Sequence, residues 1–325
     1  MSVDENKQRL LVLVGPTAVG KTKLSLEAAK LLNCEIISGD SMQVYRGMDI
    51  GTAKATAAER AIVPHHMIDI HDPAEPFSVA EFQARAQSLI ADINSRGRLP
   101  FIVGGTGLYI ESVCYDFQFS EGGSDEAYRR EMNDLADSEG EEALHQQLRQ
   151  VDPDSAERLH PNDRRRIIRA LEVHRTTGIS LTEHLAGQKK QSPYELLIVG
   201  LTMDRQILYK RIEERIDLMI GEGLVEEVER LMRRGCTTDL VSMQGLGYKE
   251  IAGFLQGQYD LPFAIDLLKR NTRRFAKRQL SWFRRMKDIC WIDVTESNFT
   301  ADANISKHLQ TIHLLAAGKF PTKTE

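Results

Sequence analysis

Over the first hundred residues, short apolar runs alternate with stretches whose apolar positions recur at helical spacing. Residues 10–14 (Leu-Leu-Val-Leu-Val) form a wholly apolar run closed by Gly15, the pattern of a strand buried on both faces of a parallel sheet. Residues 22–32 then set Leu24, Ala28, Leu31 and Leu32 along one helical stripe. Residues 35–38 read as a second strand, and 66–70 as a third closed by Asp72 and Pro73. Ser78 and Glu81 have the spacing of a capping box, which predicts a helix lasting to about Arg96. Residues 99–103 are the next strand, followed at once by Gly104, Gly105, Thr106 and Gly107. Strands separated by helices predict an α/β fold with a parallel sheet covered on both faces.

The texture changes after Cys114. Residues 121–142 carry nine acidic side chains and two arginines, and polar helical patterning continues to about Gly187. No strand-like run returns until residues 196–201. The expected organisation is a core begun by residues 1–114, a helical insertion over 115–195, and a core completed by 196–315. In that second part helices are expected at 204–220, 224–234 and 261–287, with a last strand at 289–294. Residues 316–325 read as a loose tail.

A chain of 325 residues suits a core with an insert. The net charge of −5 argues against a uniformly basic surface but leaves room for a local basic patch. Cys34, Cys114, Cys236 and Cys290 are far apart without C-x-x-C spacing, which argues against a zinc site or a disulfide framework. Residues 1–9 are charged and no apolar run reaches 18 residues, so neither a signal peptide nor a membrane span is expected. The expectation is a cytoplasmic protein, monomeric because no long heptad demands a partner.

Gly15-Pro16-Thr17-Ala18-Val19-Gly20-Lys21-Thr22 matches G-x-x-x-x-G-K-[ST] between a strand and a helix, the context that motif requires. Its backbone N–H groups cradle phosphate oxygens, Lys21 adds a mobile charge, and the Thr22 hydroxyl is placed to ligate Mg²⁺. This makes the expected core P-loop NTPase-like. A nucleoside triphosphatase usually sets an acid at the end of a later strand, yet residues 101–103 run into Gly104 and Gly105. The loop therefore suits a pyrophosphate leaving group better than a transferable γ-phosphate. Asp40 follows the second strand at the sheet edge where α/β ligands sit. There it can act as general base, bind Mg²⁺, or cap the following turn.

These segments, with Ser38-Gly39-Asp40-Ser41-Met42-Gln43-Val44-Tyr45, Gly51-Thr52-Ala53-Lys54, Gly104 to Tyr109, His160-Pro161-Asn162-Asp163 and Gly245-Leu246-Gly247-Tyr248, resemble the tRNA dimethylallyltransferases of bacterial type. The resemblance spans nearly the whole chain in the right order. It implies transfer of a dimethylallyl group from dimethylallyl diphosphate to N6 of the adenosine at tRNA position 37, beside the anticodon. Asp40 would be the base, Thr106 would lie at the reacting adenine, and Arg215 would clamp pyrophosphate with the loop from Gly15 to Thr22. The implied tRNA contacts are Asp40, Ser41, Met42, Gln43 (reading a base edge through its amide) and Thr106. They continue with Arg129, Arg165, Arg166, Ile167, Ile168, Arg169, and Gln244, Gly245, Leu246, Gly247, Tyr248 and Lys249.

Two basic stretches support an RNA partner independently of the resemblance. Arg164, Arg165, Arg166, Arg169 and Arg175 lie on the insertion. Residues 269–287 hold nine cations before the first acid, Asp288. Lys269, Arg270, Arg273, Arg274, Lys277 and Arg278 fall on one side of a helix, with Leu268, Phe275, Leu280 and Phe283 toward the other. His65 and His66 are expected to be structural because adjacent strand residues face opposite ways. Trp282 and Trp291 are expected in the core. Rival readings are a P-loop kinase, a prenyltransferase of free adenine nucleotides, and a nucleotide-switched RNA-binding protein in which Asp40 is dispensable.

Overall fold

The protein, described by a computed structural model over residues 7–119, 125–188, 191–296 and 302–320, packs as two units, Met1–Asp116 with Ser192–Glu325, and Phe117–Gln191. In the first unit β1 (Arg9–Val14), β2 (Cys34–Gly39), β3 (His65–His66) and β4 (Leu99–Gly104) alternate with α1 (Lys21–Leu31), α2 (Ala57–Ile62), α3 (Val79–Ser95) and α4 (Gly107–Cys114). The second unit holds α5 (Glu126–Glu139), α6 (Glu141–Val151), α7 (Pro153–Arg158), α8 (Arg164–Thr177) and α9 (Leu181–Ala186). The first unit resumes with β5 (Glu195–Thr202), α10 (Arg205–Gly221), α11 (Leu224–Arg233), α12 (Tyr248–Leu255), α13 (Leu261–Phe283), β6 (Ile289–Asp293) and α14 (Asp302–Lys319).

The six strands pair in parallel in the order β3-β2-β4-β1-β5-β6. Leu10 to Val14 are fully buried, as a central strand covered on both faces requires. The second unit has its own core, in which Met132, Leu144, Leu148, Ile167 and Leu171 pack together.

Several expectations need correction. The third strand is only His65–His66, because Met67 and Asp69 turn the chain with φ of 63° and 57°. Lys54 and Arg60 hold the Asp69 carboxylate at 2.6 and 2.8 Å and fix that turn. Ser78 caps α3, but Glu81 does not return the bond; its carboxylate accepts from Arg85 and meets His71 at 2.9 Å each. The long basic helix stops at Phe283. The expected tail is the end of α14, whose Ile305, Ile312 and Ala316 are buried with Phe320; residues 321–325 lie outside the described residues. Trp291 stands on the edge strand β6 and is 38% exposed.

Candidate active site

Residues 15–20 cross the carboxyl end of the sheet between β1 and α1. Ala18 at φ 64° and Gly20 at φ 105° break the chain into left-handed steps, and such alternation turns successive amides inward. Lys21 Nζ donates to the carbonyls of Gly15 and Pro16, both at 2.8 Å. Of the eight loop residues, Thr17, Ala18, Gly20, Lys21 and Thr22 line a cavity of about 830 Å³; Gly15, Pro16 and Val19 are buried beneath it.

A second cavity of about 300 Å³ adjoins this one. Thr17, Ala18, Asp40, Thr52, Ala53, Arg215, Met219 and Phe275 belong to both and form the shared wall. Lys21, Thr22 and Arg211 face only the larger, and Ser41, Met42, Thr106 and residues 244–249 only the smaller.

Asp40 Oδ1 accepts from the Met42 amide at 2.8 Å, so the acid caps its turn and also lines the cavities. Thr106 joins it from the next strand: its amide donates to Gly39 O at 3.2 Å, and its Oγ1 accepts from Ser41 N at 3.1 Å. Burial pushes the Asp40 carboxyl above its ordinary range, while the Met42 amide and the Lys21 charge hold it back. Burial, then the nearby Arg215 charge, lowers the Lys21 ammonium to about 7, with Asp40 opposing. Burial also lowers Arg215, again against Asp40. A carboxyl group and two basic side chains thus share one half-buried pocket, where an added anion is stabilised more than in bulk water.

The remaining expected residues divide. Gln43 is not free to read a base: its Oε1 accepts from Ser38 Oγ at 2.8 Å and its Nε2 donates to Thr52 O at 3.2 Å. Tyr248 is fully buried and donates to Glu227 Oε1 at 2.6 Å, so its ring is scaffold and not RNA surface. Gly51 lets that ring approach, since a Cβ there would lie 2.6 Å from it. Gly245 and Gly247 are buried, Leu246 and Lys249 half-buried, and Gln244 is exposed with its amide donating to Thr238 O.

In the second unit Ile167 and Ile168 are core residues, which removes their side chains from any RNA face. Arg129 grips the buried Glu172 through two bonds of 2.8 and 3.0 Å, and Arg169 donates to it at 2.6 Å. Arg165 and Arg166 remain exposed. On α13, Lys269 pairs with Asp217 at 2.6 Å and Arg273 with Glu213, tying this helix to α10. Arg270, Arg274 and Lys277 are exposed and hold no ion pair among the described residues. His66 meets Glu35 at 2.7 Å and His65 meets Val63 O at 2.7 Å. The Trp282 indole donates to Glu111 at 2.9 Å.

Two supporting residues escaped the sequence reading. Glu227, buried on α11, accepts from the amides of Asp49, Ile50 and Gly51 at 3.0, 2.9 and 3.1 Å. Gln279, buried on α13, accepts from Thr17 N at 2.9 Å and donates to Gly105 O at 3.0 Å. Each is a long polar side chain on the buried face of its helix, and that mismatch was the available signal. For a cation, the described residues hold no cluster of three or more acids, histidines or cysteines. The exposed Thr22 hydroxyl at the loop is a hard oxygen donor, which suits Mg²⁺ arriving with phosphate oxygens.

Comparison with known proteins is consistent across the chain. The family model described as IPP transferase matches residues 43–286, and that described as isopentenyl transferase matches residues 8–67. The chain is 55% identical over 289 residues to the tRNA dimethylallyltransferase of Geobacillus thermodenitrificans, covering 89% of this chain and 91% of that protein. With the tRNA dimethylallyltransferase of Halalkalibacterium halodurans the identity is 51% over 320 residues, 98% of this chain and 100% of the relative. The crystal structure of the full-length tRNA isopentenylpyrophosphate transferase from Bacillus halodurans superposes with a TM-score of 0.72 at 50% identity, over 96% of this chain and 98% of that one. A eukaryotic dimethylallyltransferase acting on tRNA gives a TM-score of 0.82 at 30% identity, over 98% of this chain and 81% of that one. Among the described residues no helix is long and apolar enough to cross a membrane.

Proposed function

Because the chain belongs to the IPP transferase family of tRNA dimethylallyltransferases, we propose that it transfers a dimethylallyl group from dimethylallyl diphosphate to N6 of the adenosine at tRNA position 37. The observation that carries this reading is the shared wall: Asp40 lies between a phosphate-loop cavity and a second cavity lined by Thr106 and residues 244–249.

The diphosphate occupies the loop side, where inward amides, Lys21 and Arg215 take up charge growing on the leaving oxygen. Mg²⁺ held by Thr22 and the diphosphate would neutralise part of that charge. The adenine, unstacked from the anticodon loop, enters the smaller cavity beside Thr106. As the donor C–O bond breaks, N6 forms the new C–N bond and becomes cationic. Asp40 then takes its proton, which a carboxylate does readily because alkylation makes that nitrogen strongly acidic. The raised affinity of Asp40 for a proton favours the same step. Arg165, Arg166, Arg270, Arg274 and Lys277 supply exposed charge for RNA phosphates. The protein acts in the cytoplasm as a monomer.

The deciding assay combines purified protein, Mg²⁺, unmodified tRNA and dimethylallyl diphosphate, followed by mass analysis of the digested nucleosides. A dimethylallyl increment on one adenosine, dependent on the donor, is expected. Consumption of ATP in its place, with no increment, would make the loop a kinase site and overturn the reading.

A further inference from the structure

We propose that Gln279 is a positioning residue that locks the phosphate loop to the Gly105–Thr106 turn and so fixes the separation between the diphosphate and the Asp40–Thr106 wall. The inference rests on the transferase reading given above.

Two turns from different strands meet at this one side chain. The loop after β1 offers a free amide at Thr17, and the turn after β4 offers a free carbonyl at Gly105. Gln279 Oε1 takes the first at 2.9 Å and its Nε2 gives to the second at 3.0 Å. A neutral carboxamide serves both from two separate atoms: a carboxylate has no proton for Gly105, and a lysine or arginine has no acceptor for Thr17. The link extends to the reacting groups, since Gly105 precedes Thr106, whose Oγ1 accepts from Ser41 N at 3.1 Å next to Asp40. Space at the junction is matched as tightly as polarity. A Cβ on Gly105 would lie 2.2 Å from Gln279 Nε2, so an alanine there must displace the amide. Gln279 itself is 6% exposed, and its two partners are what make its burial tolerable.

The test uses the full chain and three variants. Gln279→Met removes both bonds at similar volume, and Gly105→Ala expels the amide while keeping the glutamine. Ala276→Gly, one turn away on the buried face of α13, weakens the helix while keeping Gln279 and both of its hydrogen-bond partners. Misplacing reacting groups by about 1 Å costs on the order of 100-fold in rate. The expected result is therefore a kcat lower by about 10- to 100-fold in Gln279→Met and Gly105→Ala. KM for tRNA stays within about twofold, and Mg²⁺-pyrophosphate binds about 5- to 10-fold more weakly by calorimetry. Ala276→Gly lowers the melting temperature but keeps kcat per folded molecule.

Wild-type kcat and pyrophosphate affinity in Gln279→Met would overturn the proposal. So would a kcat loss no larger than its lost folded fraction, with Ala276→Gly as the yardstick. If Gln279→Met does not fold, Gly105→Ala decides by the same criteria. A wild-type protein that binds pyrophosphate but transfers nothing would refute the functional reading, while the pyrophosphate comparison would still judge Gln279.

Discussion

The helices α8 and α13 look alike as strings of cations, yet the protein uses their charges differently. On α8, Arg164 is bound by Asp137 and Glu141, Arg169 by Glu172, and Arg175 lies over the Tyr128 ring at 4.4 Å. On α13, Lys269 and Arg273 are spent on α10, while Arg270, Arg274 and Lys277 stay exposed without ion pairs among the described residues. On the insertion helix most of the arginines hold their own unit together; on the core helix one row braces and the adjacent row is free. Charge counted along a sequence therefore overstates an RNA face, because a cation paired to protein must break that pair before it can serve a phosphate.

The largest effect separates both helices from the chemistry. Asp40→Ala should cut transfer by about 10³- to 10⁴-fold and leave tRNA affinity within about twofold, checked by single-turnover rates beside filter binding. A parallel fall in affinity would mean that Asp40 grips RNA and does not act as the base. Next comes the organising acid of the second unit. Glu172→Ala removes the acceptor that Arg129, Arg169 and the Asp125 amide share and should destabilise the protein by about 2 kcal/mol, seen as a lower midpoint in a denaturant melt.

The comparison within α13 is sharpened by charge removal in two rows. Replacing Arg270, Arg274 and Lys277 with alanine should weaken tRNA binding about tenfold or more and lower the salt dependence by about one ion for each phosphate left without its cation. Replacing Lys269 and Arg273 should leave the salt slope unchanged and cost about 1 kcal/mol of stability. Equal slopes in the two sets would erase the distinction between rows.

The smallest effect is a pH signature. The buried Glu35 is held down to about 2 from 4.5, first by the hydrogen bond from Arg96, with His66 and Arg98 adding to it against burial. A carboxyl with a depressed folded value gives its full stabilisation above the unfolded value and loses it as pH falls toward the folded one. The stability gap between wild type and Glu35→Gln should thus be full above pH 4.5 and close between 4.5 and about 2, followed by thermal melts. Glu172 is also lowered: burial opposes, but the Arg129 and Arg169 bonds prevail, so its contribution likewise fades below pH 4.5.

What the sequence made legible follows from the range of the forces involved. The run of residues 10–14, the glycine turn and α1 are local signals, and the structure places them within a residue or two. The third strand was misjudged because its end is set by Lys54, whose side chain arrives from another loop. The partners of Gln279 and Glu227 were illegible because they lie 262 and about 177 residues away. The exposed and the paired arginines of α8 could not be told apart either, since the acids that claim Arg164 sit on other helices of the unit. Local propensity names elements; long-range hydrogen bonds decide which polar groups are left over for a ligand.

The strand order has a consequence for how the chain is made. β5 completes the sheet by pairing Arg9 with Glu195 and Val14 with Gly200, so every residue of the helical unit must be synthesised before the phosphate-loop strand gains its second neighbour. The helical unit relies on neighbours near in sequence and has its own core, and local structure forms fast. It should therefore fold while β1 is still waiting, shortening the loop that the late strand has to close. On the ribosome, the β1 edge of the sheet stays open until β5 emerges.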